Sequence, residues 1–214
     1  MRDPTILGLL DALDDDLIWR KKEITAYKLA VGNKDSGADK QRAFMRASLA
    51  MLYAHWEGFV RRASELYVQH VALQRLRHDQ LSMPFLAQAF RRVLAPASLS
   101  AKSHLHQDAV RFIIEQLGRQ ASLSHLNVIS AKSNLSSVVL REILETLGLD
   151  YSPYRLRERF IDDNLLERRN KIAHGEYLTF DIRECLDCIE AVENLLEKYK
   201  NDVFEAASNR AYLR

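Results

Sequence analysis

The chain has 214 residues, 47% of them hydrophobic and 28% charged, with a formal net charge of +2. That length supports one substantial core, and no apolar run approaches the roughly 18 residues that a membrane span requires. Seven glycines and four prolines leave little punctuation for many short strands and favour helices.

The opening Met1-Arg2-Asp3-Pro4 carries no secretory pattern, because Asp14-Asp15-Asp16 arrives before any sustained apolar core. A cytoplasmic location with no membrane partner is the expectation. Apolar residues at Ile6, Leu9, Leu10, Leu13, Leu17, Ile18, Ile24 and Leu29 predict a helix from Thr5 to about Val31. Gly32 to Gly37 reads as a loop. A long helix follows from about Asp39 to Leu76, interrupted only by Gly58. Glycine inside a helix costs about 1 kcal/mol against alanine, so position 58 implies a close helix contact or a ligand's approach.

Pro84 suits the first turn of a short helix through Leu94. Pro96 and its neighbouring serines predict a loop, and a further helix spans about Leu105 to Leu117, ending at Gly118. Residues 119–133 read as a loop, with Leu126-Asn127-Val128-Ile129 too short for a strand. Asn134 or Ser136 can cap a helix over 136–147, closed by Gly148. After Tyr151-Ser152-Pro153 comes a helix over about 154–174. Thr179 or Asp181 caps the last one, to about 206, with Ile182, Leu186, Ile189, Val192, Leu195, Leu196 and Tyr199 on its apolar face. The fold class is therefore all-α, an up-and-down bundle of seven helices in one domain. Its core comes from about 1–76 and 134–206, with an insertion of short helices over about 79–133.

Charge is unevenly spread. Residues 41–120 hold eleven Lys/Arg against five Asp/Glu, and residues 161–214 hold eight against twelve. The basic centre fits a phosphate-bearing ligand, or docking against the acidic C-terminal segment. Cys185 and Cys188 form a C-x2-C inside a helical pattern, without the further ligands of a zinc site or the strand context of a redox motif. They read as small, partly buried residues, and no metal ligand set emerges from the other histidines.

Arg168-Arg169-Asn170-Lys171-Ile172-Ala173-His174-Gly175 is the most informative stretch. Arginine offers a rigid fork of donors to a phosphate, and histidine can move a proton near neutral pH. At about 100° per residue, Asn170 points about 40° from His174 and Glu167 falls almost on its line, while Arg169 lies about 140° away. Glu167, Asn170 and His174 would form one polar stripe with Arg169 on its flank. A solvated helix end carrying two arginines is the plain alternative.

Arg169-Asn170-x3-His174 resembles the Arg-Asn-x3-His signature of the HEPN superfamily, small all-helical domains of which many are ribonucleases. Leu52-Tyr53-Ala54-His55-Trp56-Glu57-Gly58-Phe59-Val60 is similar to the second long helix of a stand-alone prokaryotic branch, where an aromatic-Glu-Gly-Phe run recurs near the active site. Lys132-Ser133-Asn134-Leu135 is a weaker third match. The resemblance implies a metal-independent endoribonuclease of toxin or antiphage-defence type, with Arg169 clamping the phosphate, His174 as acid or base and Asn170 orienting the imidazole or binding a phosphate oxygen. Glu57, His55 and Glu167 would be supporting residues.

It also implies an RNA substrate, no cofactor, a homodimer whose signature helices face each other, and a neutralising antitoxin or defence partner. Tyr177 stands three positions after His174, whereas the tyrosine of antitoxin-modified relatives stands two after it. The alternatives are a non-catalytic HEPN module that binds RNA, nucleotide or a partner protein, and a helical scaffold.

Overall fold

In a computed structural model, the described residues are 5–33, 37–124 and 134–214. The expectations for Met1 to Pro4, for Lys34 to Ser36, and for residues 125–133 (His125, Leu126 to Ile129, Lys132-Ser133) lie outside them. Thr5 caps α1, Ile6–Gly32, by accepting the Gly8 N–H at 3.1 Å. α2 spans Ala38–Leu73, and α8 spans Ile182–Ser208 behind an Asp181–Glu184 capping box. Between them lie α3 (Met83–Ala89), α4 (Arg91–Ser98), α5 (Ser103–Gln116) and α6 (Ser137–Leu147). α7 (Arg168–Ala173) then precedes α8. Among the described residues there is no strand, only isolated bridges between Arg77 and Gln120 and between Leu81 and Leu213. The fold is all-α.

α1, α2 and α8 pack against one another to form the centre. Three ion pairs set the direction of α8 against α1: Asp14 with Lys200, Lys21 with Glu197 and Lys28 with Glu193. Numbers rise along α1 as they fall along α8, so these two helices are antiparallel. Arg20 meets Gly58, and Gln41 Nε2 donates to the Val31 carbonyl, so α2 is also antiparallel to α1. Glu193 and Glu197 of the acidic C-terminal helix are thus met by lysines of α1. Among the described residues, no ion pair links it to the basic 41–120 region.

The core rows differ from the predicted ones in instructive ways. On α1 the buried row is Leu9, Leu13, Leu17, Arg20, Ile24 and Val31, while Ile18 and Leu29 are exposed. A charged residue occupies a core position. On α8 the row runs through Cys185, Cys188, Ile189, Val192, Leu195, Leu196, Tyr199 and Val203. The cysteines take the place expected for Ile182 and Leu186, and burial pushes their thiols up to about 11 and about 12. Protonated thiols packed in a helix interface are small core residues.

Two expected elements change. Phe90 divides the short helix into α3 and α4, and Pro96 lies inside α4. An eight-residue helix has few internal hydrogen bonds for a proline to remove, so the penalty is modest. The helix predicted over 154–174 is three successive windings: a 3-10 segment at Ser152–Arg157, a π-helix at Phe160–Glu167, and α7. Within the π-helix, Asp162 accepts the Ser137 N–H at 2.7 Å together with the Ser137 hydroxyl, holding the start of α6.

Buried histidines give the fold a pH dependence. Burial lowers the pKa of His70, and it lowers that of His55 more than Glu23 raises it. Both therefore bind fewer protons folded than unfolded as the pH falls through the unfolded value of about 6.5. Their contribution to stability is full well above that pH and is lost as the pH drops through it. We expect the denaturation midpoint to fall between pH 7.5 and 5.5, and to fall less in His70→Phe, which keeps the ring against Tyr212 but cannot titrate. An equal fall in both proteins would exclude His70 as a contributor.

Candidate functional site

The π-helix and α7 both pack on α2, bringing the signature against the Tyr53–Phe59 run. That run serves three neighbours because successive helical residues turn by about 100°. Trp56 and Phe59 meet Tyr199 of α8 edge-on, with ring centroids 6.1 and 6.5 Å apart. His55 faces α1. Tyr53 and Glu57, one turn apart, face the signature side.

Arg169 is half-buried. Its guanidinium lies over the Tyr53 ring, 4.8 Å from the centroid. Nη1 donates to Asn170 Oδ1 at 2.8 Å and to Asn134 Oδ1 at 3.4 Å. Among the described residues no carboxylate reaches it. The neighbouring cations differ: Arg168 pairs with Glu184 at 3.5 Å and lies over Phe180, and Lys171 pairs with Glu167 at 2.6 Å. Within this run, only Arg169 keeps an unneutralised charge and an arrangement built from an aromatic face and two amide oxygens.

His174 caps α7 and is exposed, its N–H donating to the Asn170 carbonyl at 2.9 Å. Gly175 then turns the chain away at φ +76°, a left-handed conformation that costs other residues about 1–2 kcal/mol. Its N–H donates to the Ile172 carbonyl, and that of Glu176 to the Lys171 carbonyl, the double closure of a Schellman stop. Arg169, Asn170 and His174 are thus placed by one short helix and its glycine terminus.

The expected supporting residues divide. Glu57 pairs with Arg61 at 3.4 Å rather than with Arg169. It still reaches the site indirectly, since burial and the nearby Glu57 push the Tyr53 hydroxyl up to about 12. Glu167 points along the predicted stripe, but Lys171 occupies the same line and takes up its carboxylate, holding it below the usual range.

His55 is a correction. It is 2% exposed, with Nε2 3.1 Å from Glu23 and its ring edge-on to Trp19. Two positions from both Tyr53 and Glu57, it points to the opposite side of α2. Its neighbour there is Arg20, which explains Gly58: a Cβ at that position would come within 2.9 Å of Arg20 Nη1.

Two further residues meet Arg169, both inside the matched stretches but neither named there for a site role. Tyr53 looks like a core aromatic at helical spacing, and it is also the platform under Arg169. Asn134 looks like a cap for α6, but Ser136 does that by accepting the Val139 N–H, leaving Asn134 to meet Arg169. The open grooves along α4 and α5, about 480 and 590 Å³, are lined by none of these residues.

A family model described as RiboL-PSP-HEPN matches residues 15–205. The chain belongs to this HEPN family. The match takes in α2, the signature and most of α8 together, and it marks the protein as a nuclease-type or RNA-related module. No curated protein and no solved structure matches the chain. No described helix of this HEPN protein is long and apolar enough to cross a membrane.

Proposed function

We propose that this HEPN protein is a metal-independent endoribonuclease of toxin or antiphage-defence type. RNA carries its own nucleophile, the 2′-hydroxyl beside each phosphodiester. An enzyme need only remove that proton, stabilise the crowded phosphorane and protonate the departing 5′-oxygen. Arg169 meets the growing phosphate charge, Asn170 holds Arg169 through Oδ1, and His174 transfers a proton from an exposed position where a strand can reach it. The observation that carries this reading is the unneutralised Arg169, fixed from below by Tyr53 and from one side by amide oxygens, within one helical turn or so of His174.

One histidine cannot easily make both proton transfers, on opposite sides of one phosphate. Glu57 is paired with Arg61, Glu167 with Lys171, and Tyr53 holds its proton firmly at neutral pH. A second copy bringing its own His174 across a two-fold axis would supply the other group, so the active form is proposed to be a homodimer. Release from a neutralising antitoxin or a defence partner would then control it.

The test is incubation of purified protein with total RNA in EDTA. Wild type cleaves, and His174→Ala, still folded by circular dichroism, does not. Undiminished cleavage by His174→Ala removes the proposed chemistry. RNA binding without cleavage by wild type favours the non-catalytic alternative.

A further inference from the structure

The ribonuclease reading leaves open what aims Arg169, a flexible side chain whose charge is useful only if its donors point one way. We infer that Tyr53 and Asn134 are its positioning residues, with Tyr53 the dominant one; this rests on the RNA-directed role of Arg169 proposed above. Tyr53 is 1% exposed, so its ring is fixed by packing in α2. Its hydroxyl accepts the Leu135 N–H at 2.7 Å, and Arg169 Nη1 donates to the adjacent Asn134. Two consecutive residues before α6 therefore close on Tyr53 and on Arg169 at once.

The result is a guanidinium held over an aromatic face, 4.8 Å from its centroid, as cation–π contact favours, with Nη1 directed at amide oxygens. Its remaining donors have no partner among the described residues. A planar fork held this way presents its free edge to a phosphate in a bidentate manner. Neutral partners suit the task, since a carboxylate would neutralise the charge that the phosphate needs. The Tyr53 hydroxyl, pushed up to about 12 by burial and Glu57, stays protonated and acts through Arg169 instead of on the substrate.

A core tyrosine would lower activity on truncation merely by loosening the fold, so the test is a double-mutant cycle. Tyr53→Leu, Tyr53→Phe, Arg169→Lys and the Tyr53→Leu/Arg169→Lys pair are compared below their melting temperatures. The readouts are kcat and KM on a short RNA, and affinity for its 2′-O-methyl analogue, which cannot be cut. Tyr53→Leu is expected to lower kcat about 10²-fold, as misplacing a clamp by about 1 Å does, with a smaller change in KM. Tyr53→Phe keeps the ring and retains most of the activity.

In the Arg169→Lys background Tyr53→Leu should add little, in kcat and in analogue affinity alike, because both changes disable one group. Losses that multiply would show Tyr53 to be core packing alone and overturn the inference. If wild type cuts nothing yet binds the analogue, the affinity cycle decides it alone. If wild type neither cuts nor binds, the RNA reading falls and the positioning role with it.

Discussion

Arg169→Ala is expected to lower RNA cleavage by about 10²–10³-fold, the usual loss when one preorganised donor to a transition-state charge is removed. The unfolding temperature should change little, because Arg169 is half-exposed and forms no ion pair among the described residues. Arg169→Lys should recover only part of the loss, since an ammonium keeps the charge and can sit over Tyr53 but lacks the planar fork of donors. Arg168→Ala provides the contrast. Its charge is already met by Glu184 and its guanidinium lies over Phe180, so its removal should affect stability more than turnover. Steady-state cleavage of a defined RNA together with thermal unfolding separates these outcomes. Equal losses of activity from both arginines would mean that the run acts only as a patch of positive charge.

The second large effect lies between α1 and α2. Arg20 is 7% exposed, with Nε 2.8 Å from Asp16, Nη1 donating to the His55 carbonyl at 3.2 Å, and its guanidinium 4.5 Å from the Trp19 ring centroid. A buried cation is tolerated because of these partners. Arg20→Met keeps the bulk but strands Asp16, and should cost about 2–3 kcal/mol, slightly below the range for breaking a fully buried pair.

Gly58→Ala provides the sharper test because its sign should reverse. In wild type the added methyl meets Arg20 Nη1 at 2.9 Å, forcing the guanidinium off Asp16 and the His55 carbonyl, and the protein loses stability. In Arg20→Met the obstacle is gone, and alanine should stabilise the helix by about 1 kcal/mol over glycine. Chemical denaturation of the four proteins reads both effects. A stabilising Gly58→Ala in wild type would show that Arg20 yields freely and that the glycine has some other cause.

These two regions also show what the sequence exposes and what it conceals. Gly58 is legible as an anomaly, a glycine in a long helix, but its partner is not. An arginine at position 20 reads as the edge of an apolar stripe, and only the pairing with Asp16, one turn earlier, lets it join the core row. The α8 stripe is legible to within one position, because cysteine at 185 and 188 is as buriable as the leucine and isoleucine beside it. The π-helix at Phe160–Glu167 is invisible to periodicity. It contains no glycine or proline, and its winding differs from an α-helix by a small rotation per residue that an eight-residue stretch cannot reveal.

At the site, the signature run is legible because Arg169-Asn170-x3-His174-Gly175 matches a family pattern, and those residue types suit the proposed handling of a phosphate and a proton. Tyr53 is not, since a buried aromatic at helical spacing has a sufficient reason to be there. For His55, angular position alone decides the side of α2. Tyr53 and Glu57 share a face four residues apart, and a residue midway between them must point away from it.

The central claim is that RNA is cut by its own 2′-hydroxyl under the control of Arg169 and His174. It is tested most directly on an RNA carrying a single 2′-O-methyl group at a mapped cleavage position, in EDTA. Cleavage should stop at that position and continue elsewhere, with every cut end bearing a cyclic phosphate or a 5′-hydroxyl. Continued cutting at the methylated position, or 5′-phosphate ends, would contradict it.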